Sequence, residues 1–263
     1  MGRHINIDEQ LCTGCGLCRS VCIRGGISIK DGKALESDSG ACFDCGQCFA
    51  VCPSGAITMS RFPGSVPERM AVHGTVADPD GIMGLLSRRR SCRLFTGEPV
   101  SDGEFELLFE AARLSPTAQN AMDVEFVVID ERLDGFRRML ADVLEPLSVE
   151  YPRIAQYVEH VRTGEGPDPF MWEGRQVILA FSGDPANACI AMSRVEIMAQ
   201  AMGLGGFYSM WIRMADDADH RELMSFIGCV DPGKRLGCAF VIGHPRIRYR
   251  RMAPRPEPTV HRL

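Results

Sequence analysis

The sequence predicts an α+β protein in two parts, a small N-terminal domain built on a cysteine repeat and a larger sandwich with helices around a central sheet. Eight of the twelve cysteines lie in the first sixty residues, and a stretch rich in Pro, Gly and Asp follows them. Helical and strand patterns then alternate, which is typical of a sheet flanked by helices. We therefore place the domains at 1–60 and 81–263, joined by a linker at 61–80.

Bulk composition excludes several classes of protein. The chain has 263 residues and a formal net charge of −5, with acids and bases interspersed, which argues against nucleic acid as the main partner. The first residues lack the apolar core of a signal peptide. Apolar runs such as Val177–Phe181 are far shorter than the ~20 residues that span a bilayer. We expect a cytoplasmic protein with no membrane partner, whose cysteines are metal ligands or free thiols rather than disulfides.

The eight N-terminal cysteines form two runs that both read C-x2-C-x2-C-x3-C, offset by 30 residues (42 minus 12). Three cysteines two residues apart can wrap one iron–sulfur cubane, while the fourth reaches the other cluster. Paired zinc sites are the alternative, but zinc usually takes two separated pairs, so clusters are favoured. The predicted ligands of the first [4Fe–4S] cluster are Cys12, Cys15, Cys18 and Cys52. The predicted ligands of the second are Cys42, Cys45, Cys48 and Cys22.

Between the runs, Ile27–Lys30 and Lys33–Leu35 flank Asp31-Gly32, a dipeptide suited to a hairpin turn. With these features, residues 4–60 resemble a bacterial two-cluster ferredoxin. One departure is that Ile23 follows Cys22, where the family usually has proline. We therefore expect the potential of the second cluster to differ from the norm.

The larger domain has several recognisable elements. Ser101 and Glu104 form a capping pattern that opens a helix, and Ser115-Pro116 ends it. Further predicted strands are Val124–Ile129, Val177–Phe181 and Gly237–Ile242, and further predicted helices are 187–202 and 216–227. The helix at 187–202 has no wide polar face, which indicates burial or an oligomer interface.

Three segments of this domain carry candidate chemistry, and each alone leaves two interpretations open. Arg88, Arg89, Arg90 and Arg93 around Ser91 suit a phosphate grip or a solvated charged face. Asn120 either offers its amide to a polar ring edge or is a turn residue. The glycines of 203–206 either end a helix or let a flat cofactor lie against bare backbone.

Together these segments resemble the nitroreductase-like FMN flavoproteins over residues 82–263. The shared motifs, in order, are Arg-Arg-Ser-x-Arg-x-Phe, Ser-Pro-x-x-x-Asn before a strand, Gly-Leu-Gly-Gly and Gly-His-Pro. The resemblance implies that FMN binds at the interface of a homodimer and carries the chemistry itself, with no catalytic acid or nucleophile. The implied FMN contacts are Arg89, Arg90, Ser91, Arg93, Asn120, Gly205, Gly206 and one or both of Arg251 and Arg255. After Asn120 the sequence lacks the Gln, Pro and Trp of many members.

These features predict an iron–sulfur flavoprotein oxidoreductase. We expect an external donor, a ferredoxin or NAD(P)H, to load the clusters, which reduce FMN, which reduces a small nitro- or quinone-type acceptor. The alternatives are an electron-transfer protein without its own substrate, and an oxidation or a reductive dehalogenation on the same fold.

Two further expectations concern residues outside the FMN set. Tyr151–Trp172 is a candidate lid, with Phe170, Met171 and Trp172 for substrate contact. Three cysteines sit among apolar residues and are expected to behave as small hydrophobes. They are Cys189, Cys229 and Cys238.

Overall fold

The computed structural model of the chain describes residues 4–37, 42–64 and 78–263. The chain divides into two compact units, Met1–Val76 with Ala118–Ala121, and Ala77–Thr117 with Met122–Leu263. Most of the predicted linker, residues 65–77, lies outside the described residues, and the predicted domain limits stay a prediction. Among the described helices, none has the length and apolar character that crossing a membrane requires.

The N-terminal unit repeats one pattern of loop, short helix and strand. Its elements are β1 (Ile5–Ile7), α1 (Leu17–Ser20), β2 (Ile27–Lys30), β3 (Lys33–Glu36), α2 (Gln47–Val51) and β4 (Ile57–Met59). The predicted hairpin is confirmed, since β2 pairs antiparallel with β3. Its turn residues Asp31 and Gly32 have φ of 50° and 71°, the two positive values that a tight hairpin turn requires.

The first and last strands hold the two halves of the repeat together. β1 pairs antiparallel with β4, with Ile5 opposite Met59. The core between them consists of small apolar side chains and cysteines, namely Ile5, Cys12, Cys18, Ile27, Ala34, Ala56 and Ile57. Gly14 is required here, because a Cβ at this position would lie 2.0 Å from the carbonyl oxygen of Gly32. The interior of this unit therefore combines small apolar side chains with two of the cysteines.

The C-terminal unit is a four-stranded antiparallel sheet covered by helices. Its helices are α3 (Pro79–Arg88), α4 (Asp102–Arg113), α5 (Leu133–Leu144), α6 (Pro152–Thr163), α7 (Pro185–Ala201), α8 (Met210–Ala218) and α9 (His220–Ile227). Its strands are β5 (Glu125–Ile129), β6 (Gln176–Ser182), β7 (Gly205–Tyr208) and β8 (Arg235–Gly243). The strand order is β5-β6-β8-β7. Every residue of β6 is buried, as its continuous apolar run predicts for a central strand.

The two faces of the sheet have separate cores. One face packs α4 and α7 against Ile178, Ala180, Phe240 and Ile242. The other packs α5, α6, α8 and α9 against the alternate residues of the same strands. This alternation follows from the two-residue period of a strand.

The predicted helix 216–227 is wrong in its extent, because the chain breaks at Asp219. The break separates α8 from α9, and the Asp219 carboxylate accepts hydrogen bonds from the backbone amides of Arg221 and Glu222, both at 3.1 Å. Aspartate competes for amides in this way and favours helix starts over helix interiors. The apolar periodicity continued through the break, so it did not reveal the new N-terminus.

The start of α4 is held by the predicted capping box. The Ser101 hydroxyl accepts from the Glu104 amide at 3.4 Å, and the Glu104 carboxylate accepts from the Ser101 amide at 2.8 Å. We expect Ser101→Ala to lower the free energy of unfolding by about 1 kcal/mol, since it leaves helix amides without a partner. Urea unfolding followed by circular dichroism measures this.

Two matched variants control for the cap. Ser101→Thr keeps a capping hydroxyl and should stay close to wild type, and so should Ser193→Ala on the exposed side of α7. Equal midpoints for Ser101→Ala and wild type would contradict the stabilising role of this cap.

Candidate functional site

Each of two pockets in the N-terminal unit is lined by four cysteines. Cys12, Cys15, Cys18 and Cys52 line one pocket. Cys22, Cys42, Cys45 and Cys48 line the other. The structure thus brings together the two groups that the spacing predicts, and in each group the fourth cysteine comes from the other run.

Local backbone geometry explains why three cysteines of each run point into one pocket. Gly16 precedes α1 and Gly46 precedes α2, with left-handed φ values of 79° and 73°. This conformation is open to glycine at no steric cost. It turns the ligand loop sharply into a short helix, which places Cys18 and Cys48 at corresponding positions of the repeat.

The thiols of each pocket lie close enough to raise each other's pKa. Burial raises the pKa of the Cys48 thiol to about 11, and its neighbours Cys45, Cys42 and Cys22 raise it further. Burial also raises the pKa of Cys18, with smaller contributions from three thiols of its own pocket. Four thiolates in one pocket repel each other, so they require a cation between them, and binding of that cation releases their protons.

Several backbone amides donate to these sulfurs. The amide of Ala34 lies 3.4 Å from Cys12 Sγ, that of Asp44 lies 3.4 Å from Cys42 Sγ, and that of Ala56 lies 3.3 Å from Cys52 Sγ. For Cys52, burial acts to raise the pKa, but hydrogen bonds from Ser54 and Ala56 outweigh it and lower the pKa. Such donors stabilise thiolates and tune cluster potentials, so the pockets fit the predicted clusters.

The sequence did not predict the contacts that charged residues make beside both pockets. Lys33 Nζ donates to the carbonyl oxygens of Glu9 at 2.7 Å and Cys12 at 2.6 Å, which fixes the loop of the first pocket. His4 Nδ1 lies 3.0 Å from Asp44 Oδ1, next to Cys42 of the second pocket. Nothing in the local sequence marks these residues, since each meets its partner through the fold.

Asn120 groups with the N-terminal unit, together with Ala118–Ala121. Its side-chain amide donates to the carbonyl oxygens of Phe43 at 3.3 Å and Asp44 at 3.0 Å, in the loop of the second cysteine run. Gln119 and Asn120 both adopt left-handed φ values, 51° and 55°, a costly conformation that functional loops often retain. The contact to a flavin ring that the family resemblance implies stays a prediction.

The arginine segment, residues 88–93, lies beside β7. Ser91 forms a parallel bridge with Gly206, and the Cys92 amide donates to the Gly206 carbonyl at 3.0 Å. Arg89 Nη1 lies 3.0 Å from Glu196 Oε1 on α7. The Arg93 guanidinium lies 5.3 Å from the centre of the Phe207 ring. Because successive side chains of an extended segment alternate, Ser91 lies on the same side as Arg89.

Arg90 holds this segment in place through hydrogen bonds to backbone carbonyl oxygens. Its guanidinium donates to the carbonyl oxygens of Ser87 at 2.9 Å, Arg89 at 2.6 Å and Arg251 at 2.7 Å. The last contact brings the C-terminal segment beside the arginines. Arg255 is exposed.

A cavity of about 430 Å³ opens on the Arg90 side of the segment. Its polar lining includes Arg88, Arg90, His244 and Arg248, and no carboxylate lines it. Arg88 and Arg248 make no hydrogen bond or ion pair with another described residue. The cavity therefore adds positive charge to the junction of the arginine segment and the C-terminal segment.

The glycines after α7 have structural roles of their own. Gly203 adopts φ of 82° just after the helix end, as helix-terminating glycines do. A Cβ at Gly205 would lie 2.9 Å from Cys92 Cβ, and one at Gly206 would lie 2.3 Å from the Val241 carbonyl oxygen. Close packing thus requires glycine at both positions, and their contact with a flavin stays a prediction.

The candidate lid is wrong for two of its three contact residues. Phe170 and Met171 are 0% exposed, and the Phe170 ring stacks on Tyr157 with a centroid distance of 3.8 Å and on Trp211 at 5.1 Å. They belong to the core on the α5 face. Trp172 alone is 37% exposed, and the Arg93 guanidinium lies 5.8 Å from its ring centre. The sequence of this aromatic segment did not indicate which of its rings are buried.

Two family models match the chain. The nitroreductase family model matches residues 86–244, and a 4Fe-4S dicluster domain model matches residues 11–57. A comparison with curated proteins gives no significant match.

Solved structures share the fold of the C-terminal part. A nitroreductase with bound FMN from Bacteroides fragilis NCTC 9343 has a TM-score of 0.56 and 9% identity, over 71% of this chain and 100% of that chain. A nitroreductase with bound FMN from Desulfitobacterium hafniense DCB-2 has a TM-score of 0.54 and 18% identity, over 68% of this chain and 98% of that chain. A BluB-like flavoprotein from Clostridium difficile 630 has a TM-score of 0.54 and 17% identity, over 66% of this chain and 94% of that chain. At these identities the likeness is one of fold.

The matches confirm the predicted fold class and family resemblance, and they support FMN and [4Fe–4S] clusters as the cofactors. The match at 86–244 begins just before the arginine segment, ends at Gly243-His244 and covers well over half of the chain. This protein therefore belongs to the nitroreductase family and carries a 4Fe-4S dicluster domain in its N-terminal part.

Proposed function

We propose that the protein is an iron–sulfur flavoprotein oxidoreductase that passes electrons from a low-potential donor through two [4Fe–4S] clusters to FMN and on to a small nitro- or quinone-type acceptor. The observation that carries this proposal is the presence of two four-cysteine pockets in the same chain as a nitroreductase-family domain. When bound, the clusters supply single electrons and FMN supplies paired ones.

The N-terminal unit holds its cofactors through thiols and backbone amides. Four sulfurs converge in each pocket, and the amides of Ala34, Asp44 and Ala56 offset part of their negative charge. Cys18 is buried and Cys48 is half-buried, which reduces the contact of these two sulfurs with water. Lys33 fixes the loop of the first pocket through two carbonyl oxygens. These contacts favour a reducible metal cluster over a solvated thiol group.

In the larger unit we assign the FMN phosphate and ribityl chain to Arg89, Ser91 and Arg93. The donors suit those groups, because guanidinium nitrogens and a hydroxyl on one extended segment bind phosphate and alcohol oxygens. Arg89 uses one nitrogen on Glu196, and its other nitrogens make no hydrogen bond to another described residue. Arg90 keeps the segment and Arg251 in place, and Arg255 follows on the same C-terminal segment.

The rest of the flavin contacts, in this proposal, come from Gly205, Gly206 and Asn120. The backbone of Gly205 and Gly206 runs beside Ser91, because Ser91 forms a bridge with Gly206. Backbone amide donors stabilise negative charge on a reduced ring. No side chain in this set is suited to act as nucleophile, so the residues orient the cofactor and exclude water.

Sheet topology favours a homodimer. Ser115 and Thr117 lead into β5, and β5 and β7 are the opposite edges of the sheet, about 14 Å apart at the usual strand spacing. In this proposal a second copy of the chain brings its Ser-Pro motif to a flavin at Gly206. A cavity of about 280 Å³ lies between Ser115 and Phe126, and the buried Ser115 hydroxyl has no partner among the described residues. A second copy would cover this cavity.

Anaerobic reduction tests the electron path. We expect FMN to copurify with the protein, and substoichiometric dithionite to bleach the cluster absorbance first and the flavin absorbance next. Added nitroaromatic or quinone should then reoxidise the flavin. Clusters that bleach while the flavin stays oxidised would contradict the path, and so would a preparation without flavin. Reoxidation by one-electron protein carriers alone would identify an electron-transfer protein without its own substrate.

A further inference from the structure

Two cysteines outside the cluster pockets lie side by side on the α7 face of the sheet. Cys189 is on α7 and Cys238 is on β8. Cys189 Sγ donates to the Gly237 carbonyl oxygen at 3.4 Å, and Cys238 Sγ donates to the Ala188 carbonyl oxygen at 3.9 Å. Each thiol thus reaches the residue that precedes the other cysteine.

A bulge in β8 explains this proximity. Cys238 pairs with Ala180 and Leu236 pairs with Phe181, so Gly237 is one extra residue in the strand. The extra residue reverses the side on which the following residues lie. Leu236 therefore packs in the core on the α5 face, whereas Cys238 packs against the α7 face.

Gly237 also lets the helix approach the strand. A Cβ at this position would lie 2.6 Å from Ala188 Cβ and 2.6 Å from the Pro185 carbonyl oxygen. The first turns of α7 therefore lie directly on the backbone of β8. This close approach is what a short covalent link between a helix and a strand requires, because Cα atoms joined by a disulfide are usually about 5.5–6 Å apart.

The two thiols differ in access. Cys189 is exposed and Cys238 is half-buried. The expectation that Cys189, Cys229 and Cys238 behave as small hydrophobes is therefore wrong for Cys189, and also for Cys229, which is exposed. Burial raises the pKa of Cys238 well above its ordinary value, the neighbouring Cys189 raises it further, and Arg213 acts in the opposite direction. Cys189 is the thiol that a reagent meets first, and Cys238 is placed to react second.

We propose that Cys189 and Cys238 form a reversible disulfide by exchange with a small disulfide. The Cys189 thiolate attacks one sulfur of the reagent, which releases one small thiol and leaves a mixed disulfide on Cys189. The Cys238 thiolate then attacks the Cys189 sulfur and releases the second small thiol. Two protein thiols are oxidised to one disulfide while one small disulfide is reduced to two thiols. A reducing dithiol reverses both steps.

Peptide mapping of the intact, cluster-loaded protein tests this pair. The protein is treated anaerobically with oxidised glutathione, its remaining thiols are alkylated, and its peptides are analysed by mass spectrometry without reduction. We expect a peptide pair linked through Cys189 and Cys238 that disappears on reduction. Iron content measured in parallel should stay constant, which separates this reaction from damage to the clusters.

Three variants define the outcomes. Cys238→Ser should stop at the mixed disulfide and retain glutathione on Cys189, whereas Cys189→Ser should form no link. Cys229→Ser, at another exposed cysteine, should behave as wild type. The proposal is overturned if wild type keeps glutathione on Cys189 without forming the link, or if both thiols are alkylated after treatment while circular dichroism shows a folded protein.

Discussion

Cys22→Ala is expected to remove the second iron–sulfur cluster and leave the first intact, although Cys22 belongs to the first cysteine run. Its thiol lines the pocket of Cys42, Cys45 and Cys48. A cubane with only three protein ligands is labile, so iron should fall from about eight atoms per chain to about four. Iron and sulfide content, with the electron paramagnetic resonance spectrum of the reduced protein, measures this loss.

Comparison between variants shows which cysteines share a cluster. Cys22→Ala should give the same remaining spectrum as Cys45→Ala, and Cys52→Ala the same as Cys15→Ala, because each pair shares a pocket. Cys229→Ala should keep all its iron, since this exposed cysteine lies outside both pockets. Equal spectra for Cys22→Ala and Cys15→Ala would show that each run holds its own cluster, and the crossed assignment would be wrong.

The same variant also separates two electron routes in the proposed function. If electrons reach the flavin only after passing both clusters, Cys22→Ala should slow flavin reduction by the low-potential donor at least tenfold, roughly the effect of 1.4 kcal/mol on a barrier. Flavin content should be unchanged, because Arg89 and Ser91 belong to the other unit. An unchanged rate would show that the first cluster alone serves the flavin.

Local patterns in the sequence predicted the structure wherever the geometry of a segment depends on its own residues. The crossed cysteine groups follow from ligand spacing, the hairpin from Asp31-Gly32, and the start of α4 from Ser101 and Glu104. In each case the interacting atoms are close in sequence or repeat at a fixed offset. The structure contains all three features.

Features made by the fold were not predictable in this way. The sequence did not predict strand β7, because its glycines are poor strand formers. Its pairing with β8, with Gly206 opposite Ile242 and Phe207 opposite Val241, makes it a strand. The Cys189–Cys238 pair depends on a one-residue bulge at Gly237, which leaves no trace in hydrophobic periodicity. The ion pair of Arg89 with Glu196 joins segments far apart in the chain.

Gly206→Ala is expected to destabilise the larger unit strongly, by about 3 kcal/mol. The added Cβ would lie 2.3 Å from the Val241 carbonyl oxygen and 2.5 Å from two carbons of the Phe240 ring. The carbonyl belongs to a paired strand and the ring is 1% exposed, so neither can move without disturbing the core. Forcing a methyl group into such a site typically costs about 1–3 kcal/mol, and more where backbone must shift. Chemical unfolding of the larger unit, followed by tryptophan fluorescence, measures the loss.

Gly103→Ala is the matched control for Gly206→Ala, because it adds the same methyl group to α4 with nothing within 4 Å of the new Cβ. It should leave stability unchanged or raise it by up to about 1 kcal/mol, since alanine favours a helix over glycine. Gly206→Ala should also lose bound FMN, because β7 positions Ser91 through the bridge at this residue. A stable Gly206→Ala protein that releases FMN would locate the role of this glycine in the flavin contact. Stability and FMN content equal to wild type would contradict both roles.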